Sequence, residues 1–171
     1  NIIGPAIGIA CAIMILLYVR DELTFDKHSP DYQRVYRLES DFNISGKATQ
    51  AGLVPMPMAP TLKDEYPEIE EFVRFAGFGL EDILFEYGDL KFFEDNIYFT
   101  DSTVFNVFSH EFILGSPDGA LNEPKTIVIT ESFASKYFGK KNPVGEELKT
   151  SNFGNFRVTG VIRDVPSNSH L

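Results

Sequence analysis

Three histidines, several acidic pairs, two glycine-bearing stretches, one cysteine and a Met-Pro repeat are the residues whose types could do chemistry. His28, His110 and His170 lie far apart, with no metal-ligand spacing between any two of them, so they read as solvent-facing or core-satisfied side chains. Glu70-Glu71, Glu81-Asp82 and Glu94-Asp95 could supply a general acid and base, yet none stands beside a candidate nucleophile, and each reads as part of a solvated face. The stretch from Gly139 to Gly145 has the wrong spacing for a phosphate loop, with Glu146 where the lysine is needed. Gly77-Phe78-Gly79 lacks the third glycine of a dinucleotide fingerprint, and Asn43-Ile44-Ser45 matches a glycosylation acceptor. Met56 and Met58, set between prolines, read as gap-fillers against a core rather than as a pliable binding surface. No residue is assigned to catalysis, cofactor binding or metal ligation, no cofactor is expected, and the chain is not read as an enzyme.

The element that organises the rest is the uncharged run Ile2 to Val19, which stops at Arg20-Asp21-Glu22; every charge in the chain lies after it. At 1.5 Å per residue, about eighteen helical residues nearly match a hydrocarbon core of roughly 30 Å, so a membrane-spanning helix is predicted. A cleaved signal peptide needs its small-residue site after the apolar core, whereas Ala10-Cys11-Ala12 precedes the most apolar part, Ile13 to Leu17. A lipoprotein signal ending at Cys11 fails for the same reason of order. An all-round apolar surface with Gly4 and Gly8 suits a helix among other membrane helices better than the core helix of a soluble domain. Pro5 is tolerated in the first turn, where no backbone N–H is needed.

The formal net charge of −10 belongs wholly to the remainder, which argues against nucleic acid and against a surface built to lie on anionic lipid. Sixteen Phe and seven Tyr supply a core, without any Trp. The only cysteine, Cys11, lies in the apolar run, so the soluble part has no internal disulfide, thiolate metal site or cysteine nucleophile.

The helix is expected to continue through Leu23 as a stiff stalk and to end before Pro30. A short helical or turn segment over Asp31 to Tyr36, a strand at Val35 to Glu39, a loop or hairpin tip over Ser40 to Thr49, and a short helix at Thr61 to Tyr66 follow. From Glu70 the pattern turns to an antiparallel meander, with Phe72 to Phe75, Ile83 to Tyr87, Lys91 to Phe93 and Ile97 to Thr100 as strands, and Gly88-Asp89 as a hairpin turn. Asp101-Ser102 predicts a helix start, Phe112 to Leu114 is a short apolar run, and Ser116-Pro117-Asp118 opens a helical turn. Thr126 to Ile129 reads as a strand. Thr130 caps a helix whose Phe133, Ala134, Tyr137 and Phe138 share a face, and which Gly139 ends; strands at Glu147 to Lys149 and Phe156 to Ile162 follow. The expected fold class is α+β: an N-terminal transmembrane helix and stalk over 1–23, then a mixed α/β extracytoplasmic domain over 24–171.

Four stretches, in this order, resemble the periplasmic core domain of MacB/FtsX-type ABC transporter permeases, most of all those of Bacteroidetes. They are NIIGPAIGIACAIMILLYVRDELTFDKHS (Asn1 to Ser29), DSTVFNVFSHEFILGSP (Asp101 to Pro117), TESFASKYFGKKNPVGEEL (Thr130 to Leu148) and FRVTGVIRDVPSNSHL (Phe156 to Leu171). Pro5 departs from the usual apolar residue at its place. The resemblance implies four membrane helices with the large domain between the first and second, a porter-like strand-helix-strand subdomain and a second, mostly β subdomain. With Asn1 at its start and no second membrane helix by Leu171, the chain reads as an excerpt that ends partway through the domain.

Function follows from the resemblance as an expectation. The chain would be a non-catalytic permease subunit in the bacterial inner membrane, with the residues after the first helix in the periplasm, coupling ATP-driven helix movement to export or mechanotransmission. The implied partners are a separate cytoplasmic ABC-type ATPase, a second copy or related permease in a dimer, and a periplasmic adaptor or outer-membrane protein; nucleic acid is not among them. The alternative is the extracytoplasmic ligand-sensing domain of a membrane-anchored signalling receptor, which also follows an N-terminal membrane helix.

Overall fold

An apolar run without a charge or an internal helix breaker forms one uninterrupted helix, α1 (Ile3–Thr24), of 22 residues. The computed structural model describes residues 2–24, 32–44, 46–80 and 82–165. Pro5 lies in the first turn of α1 as anticipated, and no part of the span Ile3–Arg20 is buried within the chain. The helix belongs to one compact unit; Gln33–Asp164 forms the other. The predicted helix end before Pro30 lies outside the described residues.

A 3₁₀ turn covers Tyr32–Arg34, and no strand forms at Val35–Glu39. Among the described residues that alternation finds no ladder partner; Tyr36 is 84% exposed. The strand begins instead at β1 (Ser40–Ile44), paired antiparallel with β2 (Lys47–Ala51). The hairpin turn supplies the reason: Asn43 Oδ1 accepts from the Gly46 N–H at 3.0 Å, with Gly46 at φ +83°, a conformation glycine adopts without strain.

Helix α2 (Met58–Glu65) starts three residues earlier than predicted, because Pro60 falls within its first turn and costs no hydrogen bond. Strand β3 (Phe75–Leu80) likewise starts later than Phe72, since the Phe72–Arg74 backbone is satisfied by side chains rather than by a ladder. Glu71 accepts from Phe72 N, Thr103 Oγ1 donates to Phe72 O and Asp101 accepts from Arg74 N. Strands β4 (Ile83–Tyr87) and β5 (Leu90–Glu94) form the expected hairpin across Gly88-Asp89, with Gly88 at φ +58°. β6 (Ile97–Thr100) is also a strand, but it pairs with β3 in a separate two-stranded sheet. The antiparallel stretch between Glu70 and Thr100 therefore resolves into one hairpin and one distant pair, not four strands side by side in sequence order.

The helix predicted from Asp101-Ser102 shrinks to one turn, α3 (Val104–Val107), entered through Thr103 with no side-chain cap. Asp101 does not cap because its carboxylate is engaged by Arg74. After β7 (Phe112–Leu114), the Ser116-Pro117-Asp118 segment makes turns, with Ala120 N donating to Pro117 O, and no helix.

The C-terminal part follows the prediction closely. β8 (Thr126–Thr130) leads into α4 (Glu131–Phe138); the Thr130 hydroxyl accepts from Phe133 N, and Gly139 at φ +59° ends the helix. β9 (Glu147–Thr150) and β10 (Gly154–Ile162) complete the main sheet, ordered β5-β4-β9-β10-β7, with β8 parallel to β10 on its other side. β9 joins the two halves, pairing with β10 on one side and β4 on the other. The apolar face of α4 covers this sheet, and the core contains Ile83, Phe85, Ile129, Tyr137, Phe138, Leu148, Val158 and Val161. Phe85 meets Phe133 edge-on at 5.4 Å, and Phe92 meets Tyr137 at 5.5 Å. The class is α+β, with an apolar N-terminal helix, a strand-helix-strand unit and antiparallel pairing.

Candidate functional site

The residues singled out for their chemistry fall into structural roles. His28, His170 and Glu81 lie outside the described residues. His110 packs its ring edge-on against Phe105 at 5.9 Å. Of the acidic pairs, Glu70 is ion-paired with Arg34, and Glu71 with Lys63 at 2.5 Å. Glu94 accepts from the Tyr137 hydroxyl and from Lys136, each at 2.7 Å, while Asp95 accepts from Asp82 N. These pairs are not brought together. Among the described residues no group of three His, Cys, Asp or Glu side chains could hold a metal ion.

Gly139–Gly145 wraps the C-terminal end of α4. There the free backbone groups are carbonyls and the dipole is negative, the reverse of what a phosphate needs. Gly77 and Gly79 lie within β3, not at a strand-to-helix turn. Met56 is 52% exposed, whereas Met58 is half-buried at the start of α2.

Two polar clusters shape the electrostatics around α4. Lys141 donates to Glu146 at 2.8 Å and to the Tyr87 hydroxyl at 2.9 Å, and that hydroxyl donates to Glu146 at 2.7 Å. The Glu146 carboxylate raises the Lys141 pKa, helped by Tyr87, and Lys141 in turn lowers that of Glu146. Beside it, burial and the Glu94 carboxylate push the Tyr137 phenol well above its ordinary value, so it stays a donor; Lys136 lies 4.5 Å over the Phe92 ring. Asp164 accepts from Ser132 N at 3.0 Å and Ser132 Oγ at 2.8 Å, tying the segment after β10 to the first turn of α4, and these bonds lower its pKa. All are clamps on the fold. None presents a nucleophile to a base.

One concave feature among the described residues is a shallow, open groove between α4 and β7. Ile113, Leu114 and Val161 contribute apolar surface, Ala134 and Ser135 come from α4, and Lys140 to Pro143 from the segment after it. Its chemistry suits apolar contact with a few polar groups at the margin, and its lining contains no histidine, cysteine or paired carboxylates. Sequence reasoning passed over it; the exposed Ile113 and Leu114 of the short apolar run were the available signal.

A spanning-length apolar helix followed by an α+β domain is the arrangement of a membrane-anchored domain. The chain belongs to the MacB-like periplasmic core domain family, whose model matches residues 1–171. This family is a component of ABC-type transporter permeases and is not itself catalytic. Among solved structures, the chain is similar to a domain described as that of a permease protein from Porphyromonas gingivalis, with 23% identity, a TM-score of 0.58, and coverage of 73% of this chain and 52% of the other. It is also similar to the periplasmic region of MacB from Actinobacillus actinomycetemcomitans, with 21% identity, a TM-score of 0.46, and coverage of 60% and 50%. A third is the extracellular domain of the noncanonic ABC-type transporter YknZ from Gram-positive bacteria, with 19% identity, a TM-score of 0.44, and coverage of 54% and 49%. The fold is shared with the first; the chain spans about half the length of each. No curated protein matches the chain significantly.

Proposed function

We propose that the chain is a non-catalytic permease subunit of an ABC transporter, whose extracytoplasmic domain over 24–171 is driven through the helix and stalk over 1–23. The observation that carries this reading is the junction of α1 to a domain of the MacB-like family across the whole chain. ATP would be hydrolysed on a separate cytoplasmic ABC-type ATPase, and the membrane is the bacterial inner membrane.

The physical argument concerns stiffness. A continuous 22-residue helix is about 33 Å long, with each turn hydrogen-bonded to the next, so an axial or tilting displacement at one end is delivered to the other. The main sheet and α4 share one aromatic-rich core, which moves as a body rather than deforming. Only a few kcal/mol of differential stability is needed to switch such a domain between two packed arrangements. The output is export of a substrate or force on an associated periplasmic adaptor or outer-membrane protein.

The test is affinity purification of the full-length protein from its native membrane, with identification of co-purifying proteins and an ATPase assay. Recovery of a stoichiometric ABC-type ATPase is expected. A co-purifying signalling kinase, or no ATPase at all, would replace the transport reading with that of an extracytoplasmic ligand sensor.

A further inference from the structure

The loop over 115–120 follows β7, and both of its ends are tied to one residue of β10. At one end Gly115 lies so close to Thr159 that an added Cβ would stand 2.5 Å from its carbonyl oxygen. At the other, the Thr159 hydroxyl donates to Ala120 O at 2.6 Å, and Ala120 is buried. Between these ties the chain turns over 117–120, with Ala120 N donating to Pro117 O at 3.4 Å and Gly119, third in the turn, at φ +79°. A turn of this form demands a positive φ at its third residue, which is why glycine stands there. Among the described residues the Gly119 N–H has no acceptor. The neighbouring Asp118 is exposed; its N–H donates to Ser116 Oγ at 3.2 Å, but its carboxylate has no hydrogen-bond or ion-pair partner among the described residues. The carboxylates of Asp95, Asp101 and Asp164, by contrast, each accept a hydrogen bond. Asp118 is also the only Asp or Asn in the sequence that glycine follows.

We propose that Asp118-Gly119 is a site of spontaneous modification, at which aspartate converts to isoaspartate through a cyclic imide. The Gly119 amide nitrogen attacks the protonated Asp118 carboxyl at Cγ. The N–Cγ bond forms, the Cγ–OH bond breaks, and one water leaves with the amide proton. Water then opens the imide. Cleavage of the Cγ–N bond returns aspartate, whereas cleavage between the main-chain carbonyl carbon and nitrogen leaves the chain running through Cγ. The product is an isomer of equal mass, and water is the only co-reactant. Glycine obstructs the attack least, because no Cβ shields its nitrogen and its wide φ range lets the peptide rotate toward Cγ. The residue that the turn selects is therefore also the one that supplies the nucleophile. The isomerised backbone is longer by one carbon–carbon bond, about 1.5 Å. That length enters a short loop tied at both ends to Thr159, so it shifts Ala120 from its tie and loosens the adjoining pairing of β7 with β10.

The test ages the purified full-length protein, folded, at near-neutral pH and body temperature, with samples taken over weeks. Isoaspartate is read by the transfer of a labelled methyl group from an isoaspartyl methyltransferase, and it is located by fragmenting the peptide that contains residue 118. Label is expected to accumulate at 118 alone, in a peptide of unchanged mass and shifted retention. Asp118→Glu, whose larger ring closes far more slowly, is expected to bring the label to background with the fold intact. Asp118→Asn reaches the same imide by losing ammonia and is expected to gain label faster. Amide exchange in β7 and at residues 159–162 is expected to rise in the aged wild type and not in aged Asp118→Glu. Label that appears only after unfolding in urea, or that spreads equally over other aspartates, overturns the site. Label at 118 with unchanged exchange overturns the loosening. Neither readout depends on whether an ATPase co-purifies.

Discussion

The core packed around α4 and the cluster that joins Met56, Lys63, Phe72, Arg74, Asp101 and Thr103 are both ordered, but by different physics. Around α4, buried apolar side chains do the holding: Phe85 and Leu148 are 1% and 0% exposed, and Val158 is 1% exposed. In the second cluster the chain is pinned by polar side chains. Arg74 donates to Asp101 at 2.8 and 2.6 Å and to Met56 O at 3.0 Å, while Phe72 lies under the cations of both Lys63 and Arg74. Lost volume is expected to weigh most in the first region, and a lost charge most in the second. An apolar core stays rigid, whereas polar pins can be released one at a time.

The largest expected effect comes from breaking the core. Leu148→Ala leaves a cavity at the junction of β4, β9 and β10 and is expected to cost about 3 kcal/mol, read as a lowered urea midpoint and lost amide protection in all strands of the main sheet. Next is Gly115→Ala. Gly115 has φ +81°, and an added Cβ would lie 2.5 Å from Thr159 O, so a loss of about 2 kcal/mol is expected, with exchange rising in β7 and at the end of β10. Unchanged protection in β7 would refute the close approach.

Asp101→Asn sharpens the comparison from the other side. The Arg74 guanidinium holds the Asp101 carboxyl below its ordinary value, and Arg74 N–H adds to this. A carboxylate with a lowered folded-state pKa stabilises the fold above the unfolded-state value, and that stability is lost as the pH falls through the folded-state value. Wild-type stability is therefore expected to decline below about pH 4 more steeply than that of Asp101→Asn, which loses about 1–2 kcal/mol at neutral pH. Hydrogen exchange should rise around residues 72–74 and α3, and stay low in β8 and β10. Smallest is Thr130→Ala, which removes the cap of α4 and is expected to cost about 1 kcal/mol, confined to the first turn of that helix.

Legibility followed locality. The cap at Thr130, the shared face of Phe133, Ala134, Tyr137 and Phe138, the stop at Gly139 and the Gly88-Asp89 hairpin each depend on residues a few positions apart, and each was read correctly. Val35–Glu39 and Phe72–Arg74 carried strand-like alternation but lacked a strand beside them, and alternation alone does not make a ladder. Asp101 was read as a cap because its local chemistry favours one; an arginine 27 residues away took its carboxylate. The groove between α4 and β7 escaped notice for the same reason, being assembled from Ile113, Ser135 and Val161.

By itself the sequence determined the apolar span, the place where charge begins, and the strand-helix-strand unit at the C-terminal end, because composition and short periodicities decide these. Tertiary structure alone decided that β6 pairs with β3 rather than with its neighbour β5, and that β9 bridges the two halves of the main sheet. Pairing between distant strands is settled by the competition among all available edges and faces, and that competition has no local signature.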